Sequence, residues 1–282
     1  DVDCPRLVFT RQKPGVFDRL LYRYGMSHVY GQYAIRRFLK KHHADVILGE
    51  YLDNAHDWFL ATRSLGIDFY AHAHGYDVST KLRDPEWQRN YLRFKDATGI
   101  ITMSEYSRGL LADIGLPAEK IHVIPYGINV PPQPIQRQEN EDIICLAVGR
   151  MVRKKAPLKS LEAFEKAYRH NPRLRFHYIG DGPLFDEASA FVKEKDLSGV
   201  VTLHGGQDSA YVAEWMQKAD IFVQHSVVDP VDGDTEGLPV AILEAMAAAL
   251  PVISTRHTGI PEEVDEGTTG LLVDEGDADG MA

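Results

Sequence analysis

The chain has 282 residues, 44% of them hydrophobic and 26% charged, with a formal net charge of −10 and two cysteines. That length suits two modest domains with ordinary globular cores. The acidic balance argues against a nucleic-acid binder. Cys4 and Cys145 match no metal spacing, no stretch reads as a signal peptide, and no apolar run approaches a membrane span, since the best, Leu238 to Ile253, is interrupted by Glu244.

Charge is unevenly spread. Residues 1–130 hold 17 Lys+Arg against 15 Asp+Glu, whereas residues 131–282 hold 14 against 26. Residues 1–43 carry nine basic and three acidic side chains. An amphipathic helical pattern beginning near Tyr24 carries Arg36, Arg37, Lys40 and Lys41. It reads either as a solvated face or as a contact for an anionic membrane surface.

Short apolar runs then alternate with helical patterns, which predicts an α/β fold with parallel sheets. The expected strands of the first half are Leu7–Thr10, Val46–Glu50, Asp68–Ala73, Gly99–Met103 and His122–Ile124. A Pro- and Gln-rich stretch over 131–141 reads as a linker. The alternation restarts with Ile143–Val148, Arg175–Ile179, Val200–Leu203, Ile221–Gln224 and Pro251–Ser254. Helices fit near 158–170, 183–195, 208–218 and 238–249. The organisation expected is a domain over 1–130, a linker over 131–141 and a domain over 142–282, with a ligand cleft between the two. Cys145 falls inside an apolar run and reads as a buried thiol.

Several positions carry chemistry. Arg150 and Lys155 follow the strand Ile143–Val148, and two cations at the carboxyl end of a parallel strand can clamp a diphosphate. Residues 236–244 read Glu-Gly-Leu-Pro-Val-Ala-Ile-Leu-Glu. Pro239 suits the first turn of a helix, whose free N–H groups form an anion site. Glu236 stands just ahead of that end. Glu244 lies about two turns in, near the same side. One anion cradle with two hydroxyl-binding carboxylates suits a sugar joined through phosphates to a nucleoside. Gly180-Asp181-Gly182-Pro183 fails as a dinucleotide fingerprint, because position 185 is Phe where a third glycine is required. No H-E-x-x-H or paired-Cys spacing occurs, and Asp229, Asp232 and Asp234 do not follow the EF-hand pattern. That acidic loop reads as donor-side specificity or as solvated.

The Glu-x7-Glu segment resembles the donor-site signature of glycosyltransferase family 4, the retaining GT-B enzymes. Further stretches resemble the family in order: His74-Gly75-Tyr76-Asp77, Ile124-Pro125-Tyr126-Gly127-Ile128-Asn129, Val148-Gly149-Arg150-Met151 with Lys155, Gly180-Asp181-Gly182-Pro183, Pro251 to Thr255, and Thr258-Gly259-Ile260-Pro261-Glu262. The His-Gly-Tyr-Asp-Val-Ser and Glu-Gly-Leu-Pro wording is nearest to bacterial exopolysaccharide-assembly members. The resemblance implies two Rossmann-like domains facing each other across a cleft. It implies transfer of a hexose from a UDP- or GDP-sugar, UDP preferred, to a hydroxyl of a glycan or lipid-linked glycan, with retention and without metal or cofactor.

By the same resemblance, Arg150 and Lys155 neutralise the leaving diphosphate, and Glu236 holds the sugar hydroxyls and supports charge at the anomeric carbon. Glu244 takes the ribose, and His74 contacts the donor sugar. Gly237, Leu238 and Pro239 face the sugar or phosphate. Gly180, Gly182 and His204 line the nucleotide side, and Thr258 and Gly259 flank the phosphates. His72 shares a strand face with His74 and competes with it for that assignment. Asp77 reads equally as a turn residue. The chain departs from the family in having Ala156 where glycine usually follows the lysine. It also lacks the first strand with its glycine-rich loop and the closing helices, which reads as a fragment missing both ends. Two alternatives remain: a nucleotide-sugar-binding module without transfer, and a GT-B nucleotide-sugar epimerase. The expected setting is the cytoplasm, with peripheral membrane contact through residues 1–43.

Overall fold

The computed structural model describes residues 27–131, 135, 137 and 141–282. The expected strand Leu7–Thr10 and most of the basic stretch 1–43 lie outside the described residues. The first sheet is wholly parallel, in the order β1 (Val46–Glu50), β2 (Asp68–His72), β3 (Gly99–Thr102), β4 (Ile121–Val123). Around it lie α1 (Ser27–Lys41), α2 (Leu52–Thr62), α3 (Pro85–Tyr91) and α4 (Glu105–Asp113). The basic helix is described from Ser27 onward, and its expected start near Tyr24 lies outside the described residues. Phe59, Phe69, Tyr91, Phe94 and Ile100 form one buried core in this half.

The second sheet is also parallel, in the order β10-β9-β8-β5-β6-β7. Its strands are β5 (Ile143–Val148), β6 (Leu174–Ile179), β7 (Val201–Leu203), β8 (Ile221–Val223), β9 (Val252–Thr255) and β10 (Gly270–Val273). The helices are α5 (Pro157–His170), α6 (Phe185–Glu194), α7 (Ser209–Lys218), α8 (Val240–Ala247), α9 (Ile260–Glu263) and α10 (Ala278–Met281). Side chains alternate across a strand. Accordingly Cys145 and Ala147 of β5 join one core with Phe164 and Phe176, while Leu146 joins another with Phe222 and Val252. A sheet apolar on both faces must be covered on both, which is why its strands read as continuous apolar runs. Cys145 is buried, and burial pushes its thiol up to about 12.

Two local details differ from expectation. Pro239 is the N-cap of α8 rather than its first helical residue. β10, which the sequence patterning leaves unassigned, pairs in parallel with β9. None of the described helices is long and apolar enough to cross a membrane.

Strand order turns at β5, with β6 on one side and β8 on the other. The carboxyl ends of those strands form the crevice where doubly wound folds bind ligands. The first sheet presents its own carboxyl ends to the same place. A methyl group on Gly75, just after β2, would stand 3.0 Å from the Thr235 carbonyl, and one on Gly237 would stand 3.2 Å from the His74 carbonyl. Glu262 of α9 reaches across to α4, accepting from the Glu105 N–H at 2.7 Å and the Tyr106 N–H at 2.8 Å. A carboxylate on a helix N-terminus satisfies donors that have no partner within the helix.

Candidate active site at the cleft

Glu236 sits after β8, 9% exposed, in the loop that leads into α8. Lys155 Nζ lies 3.0 Å from its Oε2 and Lys154 Nζ lies 3.4 Å from its Oε1. Burial pushes the carboxyl up, but the two ammonium groups outweigh it and hold Glu236 below its ordinary value. Its buried Oε1 has no close hydrogen bond, since the Lys154 ammonium stands too far for a strong one. Such an atom is rare without a reason.

The lysines are delivered by a 3-10 turn, Arg153–Lys155, and a left-handed residue, Ala156, with φ 36° and ψ 55°. Glycine adopts that conformation without strain, which explains the family's usual residue there. Lys154, which the sequence gives no role, also meets Asp234 at 2.9 Å and the Thr235 carbonyl at 3.0 Å. The acidic loop is therefore not simply solvated. Asp229 is buried, and Asp234 also lies 3.2 Å from Ser79 Oγ of the first half.

The backbone of Glu236 is fixed from behind. Its N–H donates to His257 Nε2 at 3.1 Å, and Thr258 Oγ donates to its carbonyl at 2.6 Å. His257 is fully buried, and its Nδ1 lies 2.5 Å from Glu275 Oε1. Because Nε2 accepts, Nδ1 carries the proton and donates to Glu275. Sequence reasoning missed His257 and Glu275; only the proximity of His257 to Thr258 hinted at the first. Thr258 itself has φ 46°, a sparsely populated conformation for a β-branched residue. A methyl group on Gly259 would stand 2.7 Å from the Gly237 carbonyl and 2.9 Å from Ser104 Cβ, so the loops close on one another only with glycine there.

Across the cleft, His74 is engaged at both nitrogens. Nε2 meets Glu50 Oε2 at 2.7 Å and Nδ1 meets Tyr126 Oη at 2.5 Å. Its ring stacks on Tyr51, centroids 4.2 Å apart. Glu50 Oε2 also meets His72 Nδ1 at 2.9 Å. Burial raises the Glu50 carboxyl, but its bonds to His74 and His72 bring it below its ordinary value. Burial pushes Tyr126 up to about 12, so its phenol stays protonated and donates to His74. Asp77 is a structural turn residue. Fully buried, it accepts from the N–H groups of His74 and Leu52, each at 2.8 Å.

The remaining positions fall around this pair of clusters. Arg150 is exposed after β5. Leu238 is buried against Met103, and Glu244 is exposed on α8, where partial desolvation raises its carboxyl. Gly180 and Gly182 are close-approach positions. Methyl groups there would meet the Gly149 carbonyl at 1.9 Å and the Met151 carbonyl at 2.6 Å. His204 is committed to a ring cluster, with Nε2 3.0 Å from His177 and Nδ1 2.9 Å from Tyr211.

Two parallel sheets with facing carboxyl ends and a charged crevice at the switch point define a protein of the GT-B fold class. The chain belongs to the glycosyl transferases group 1, whose pattern matches residues 132–282, and residues 6–131 match Glycosyltransferase Family 4. The amylovoran biosynthesis glycosyltransferase AmsK of Erwinia amylovora is 32% identical over 212 residues, covering 74% of this chain and 52% of AmsK. A GDP-mannose-dependent alpha-(1-6)-phosphatidylinositol monomannoside mannosyltransferase of Mycobacterium tuberculosis H37Rv is 27% identical over 225 residues, covering 75% of this chain and 58% of that protein. The chain thus spans about half the length of the curated relatives it matches. Among solved structures, Anabaena Alr3699/HepE in complex with UDP superposes with a TM-score of 0.73 at 18% identity, covering 95% of this chain and 78–79% of HepE across its UDP and UDP-glucose complexes.

Proposed function

We propose that the protein transfers a hexose, with retention, from a UDP-sugar to a hydroxyl of a glycan or lipid-linked glycan during exopolysaccharide assembly. The observation that carries this reading is Glu236, an ionised carboxylate at the switch point whose buried Oε1 is held only loosely, by the Lys154 ammonium at 3.4 Å. A sugar hydroxyl would satisfy that oxygen through a short, charge-assisted bond. The diphosphate is neutralised by Arg150 and Lys155 with the N-terminal turn of α8, so the departing charge needs no metal. As the glycosidic bond stretches, the sugar becomes oxocarbenium-like and Glu236 supports it. The leaving phosphate takes the acceptor proton on the same face, which keeps the configuration.

Kinship with AmsK supports the exopolysaccharide setting, and HepE, seen with UDP, supports the base. The exposed Arg37, Lys40 and Lys41 of α1 would dock the cytoplasmic protein on anionic lipid, whereas Arg36 turns inward to the Ala61 carbonyl.

Titration calorimetry with UDP and GDP, without metal, tests the donor site on wild type and Glu244→Ala. UDP is expected to bind more tightly than GDP, and the substitution to weaken UDP about tenfold, the scale of one lost hydrogen bond to a charged group. Equal UDP affinity in both proteins would remove Glu244 from the site.

A further inference from the structure

The end of the first sheet carries a cluster that the donor site does not explain. β1 and β2 pair so that Glu50 stands opposite His72, and His74 follows two residues later on the same side. One nitrogen of each imidazole and a carboxylate oxygen of Glu50 lie within 4.8 Å of one another. A single oxygen, Oε2, serves both rings, at 2.9 and 2.7 Å. The ring centroids of His72 and His74 are 4.4 Å apart.

We propose that Glu50, His72 and His74 form a binding site for a divalent transition metal of the zinc type. Two imidazoles spaced one residue apart at a strand end, with a carboxylate from the neighbouring strand, supply three ligands of the kinds zinc takes. Bond lengths of about 2.0–2.2 Å spread tetrahedral ligands to roughly 3.3 Å apart, so the carboxylate must withdraw by about half an ångström. Glu50 can do so, because its side chain is 51% exposed. The same exposure leaves the fourth position open to water.

His74 has the outer partner that metal-bound imidazoles usually have. With the metal on Nε2, Nδ1 carries the proton and donates to Tyr126, whose phenol turns to accept. His72 lacks such a partner, since its Nε2 is buried without a hydrogen bond. A missing outer partner costs about 10–100-fold in affinity, which places the site in the micromolar range rather than among structural zincs. Occupancy also fixes His74. On the reading that His74 faces the donor sugar, zinc therefore inhibits transfer. That consequence rests on the proposed function, and metal binding itself does not.

The test is calorimetric titration of ZnCl2 into chelator-treated protein without donor, on wild type, His72→Ala and Glu50→Gln. Thermal melts without metal check that each variant folds. One zinc per chain is expected at micromolar Kd, weakened at least tenfold by each substitution. Absent binding to wild type, or binding that either folded variant keeps intact, overturns the site. If a variant does not fold, Co2+ added to wild type decides instead. Visible absorption of a four-coordinate nitrogen–oxygen set, lost on adding zinc, is expected, and six-coordinate Co2+ alone overturns the proposal. UDP binding measured separately keeps a failure here distinct from a failure of the donor site.

Discussion

The two walls of the cleft use their carboxylates differently. On the second sheet, Glu236 is buried between two ammonium groups, and its oxygens serve fixed charges. On the first sheet, Glu50 is half exposed and serves two imidazoles. The first arrangement joins the carboxylate to two ammonium groups, which outweigh its burial and hold it below its ordinary value. The second joins its carboxylate to two imidazoles, and burial pushes the His72 ring below its ordinary value. Electrostatic binding of a diphosphate needs permanent charge, so the wall that carries Lys155 is the wall expected to hold the donor.

The largest expected effect follows from that wall. Lys155→Ala is expected to lower transfer by 10²–10³-fold, the scale for removing one preorganised group facing developing charge. Glu236→Gln, which keeps the shape and removes the charge, is expected to do the same. Unchanged turnover in both folded variants would remove the ion cluster from the transfer step. A smaller loss, about tenfold, is expected for His257→Ala. It removes the acceptor for the Glu236 N–H without touching the carboxylate. Its signature is a fall in kcat with UDP affinity kept; a loss of UDP affinity alone would contradict the positioning role.

Acid is expected to attack the second sheet through its histidines before its ion pairs. His225 is fully buried and accepts from the Gly276 N–H at its Nε2, at 2.8 Å. Burial pushes it down to about 4, and burial with the neighbouring His204 does the same to His177. The unfolded chain binds these protons near pH 6.5 and the folded chain only near 4, so stability falls as pH drops through that window and levels off below it. The depressed Glu236 adds its own loss as pH falls below the ordinary carboxylate value, and that loss is complete once its folded-state value is passed. Melting temperatures from pH 7 to pH 4 check this, and a His225→Asn variant should flatten the slope. An acid slope confined below pH 4 would assign the effect to carboxylates alone.

Much of this was legible in the sequence. The two parallel sheets follow from apolar runs such as Ile143–Val148, and the helix after Pro239 follows from its cap. The partners of Glu236 were less legible, because three cations stand in a row at Arg153, Lys154 and Lys155. Spacing cannot tell which ones turn inward; the 3-10 turn decides, and it sends two. The links from Glu50 to His74 and from His257 to Glu275 cross between strands or loops, so no local pattern announces them. Gly270–Val273 escapes the sequence pattern because a four-residue run led by glycine has little strand signal of its own. It is a strand because β9 offers it a partner.

The smallest effect tests whether the lysine loop is held under strain. Ala156 adopts φ 36°, where an L side chain crowds the backbone at a cost of about 1–2 kcal/mol. Glycine relieves that crowding but loses more freedom on folding, which takes back roughly 0.4–1 kcal/mol. Ala156→Gly is therefore expected to stabilise the protein by about 0.5–1 kcal/mol. In a chain this size that is a rise of roughly 2–4 °C in melting temperature for each kcal/mol. Transfer should stay within about twofold, since Lys154 and Lys155 keep their contacts with Glu236. A fall in melting temperature would mean that the loop does not hold the left-handed bend, and with it the account of how two lysines reach one carboxylate would fail.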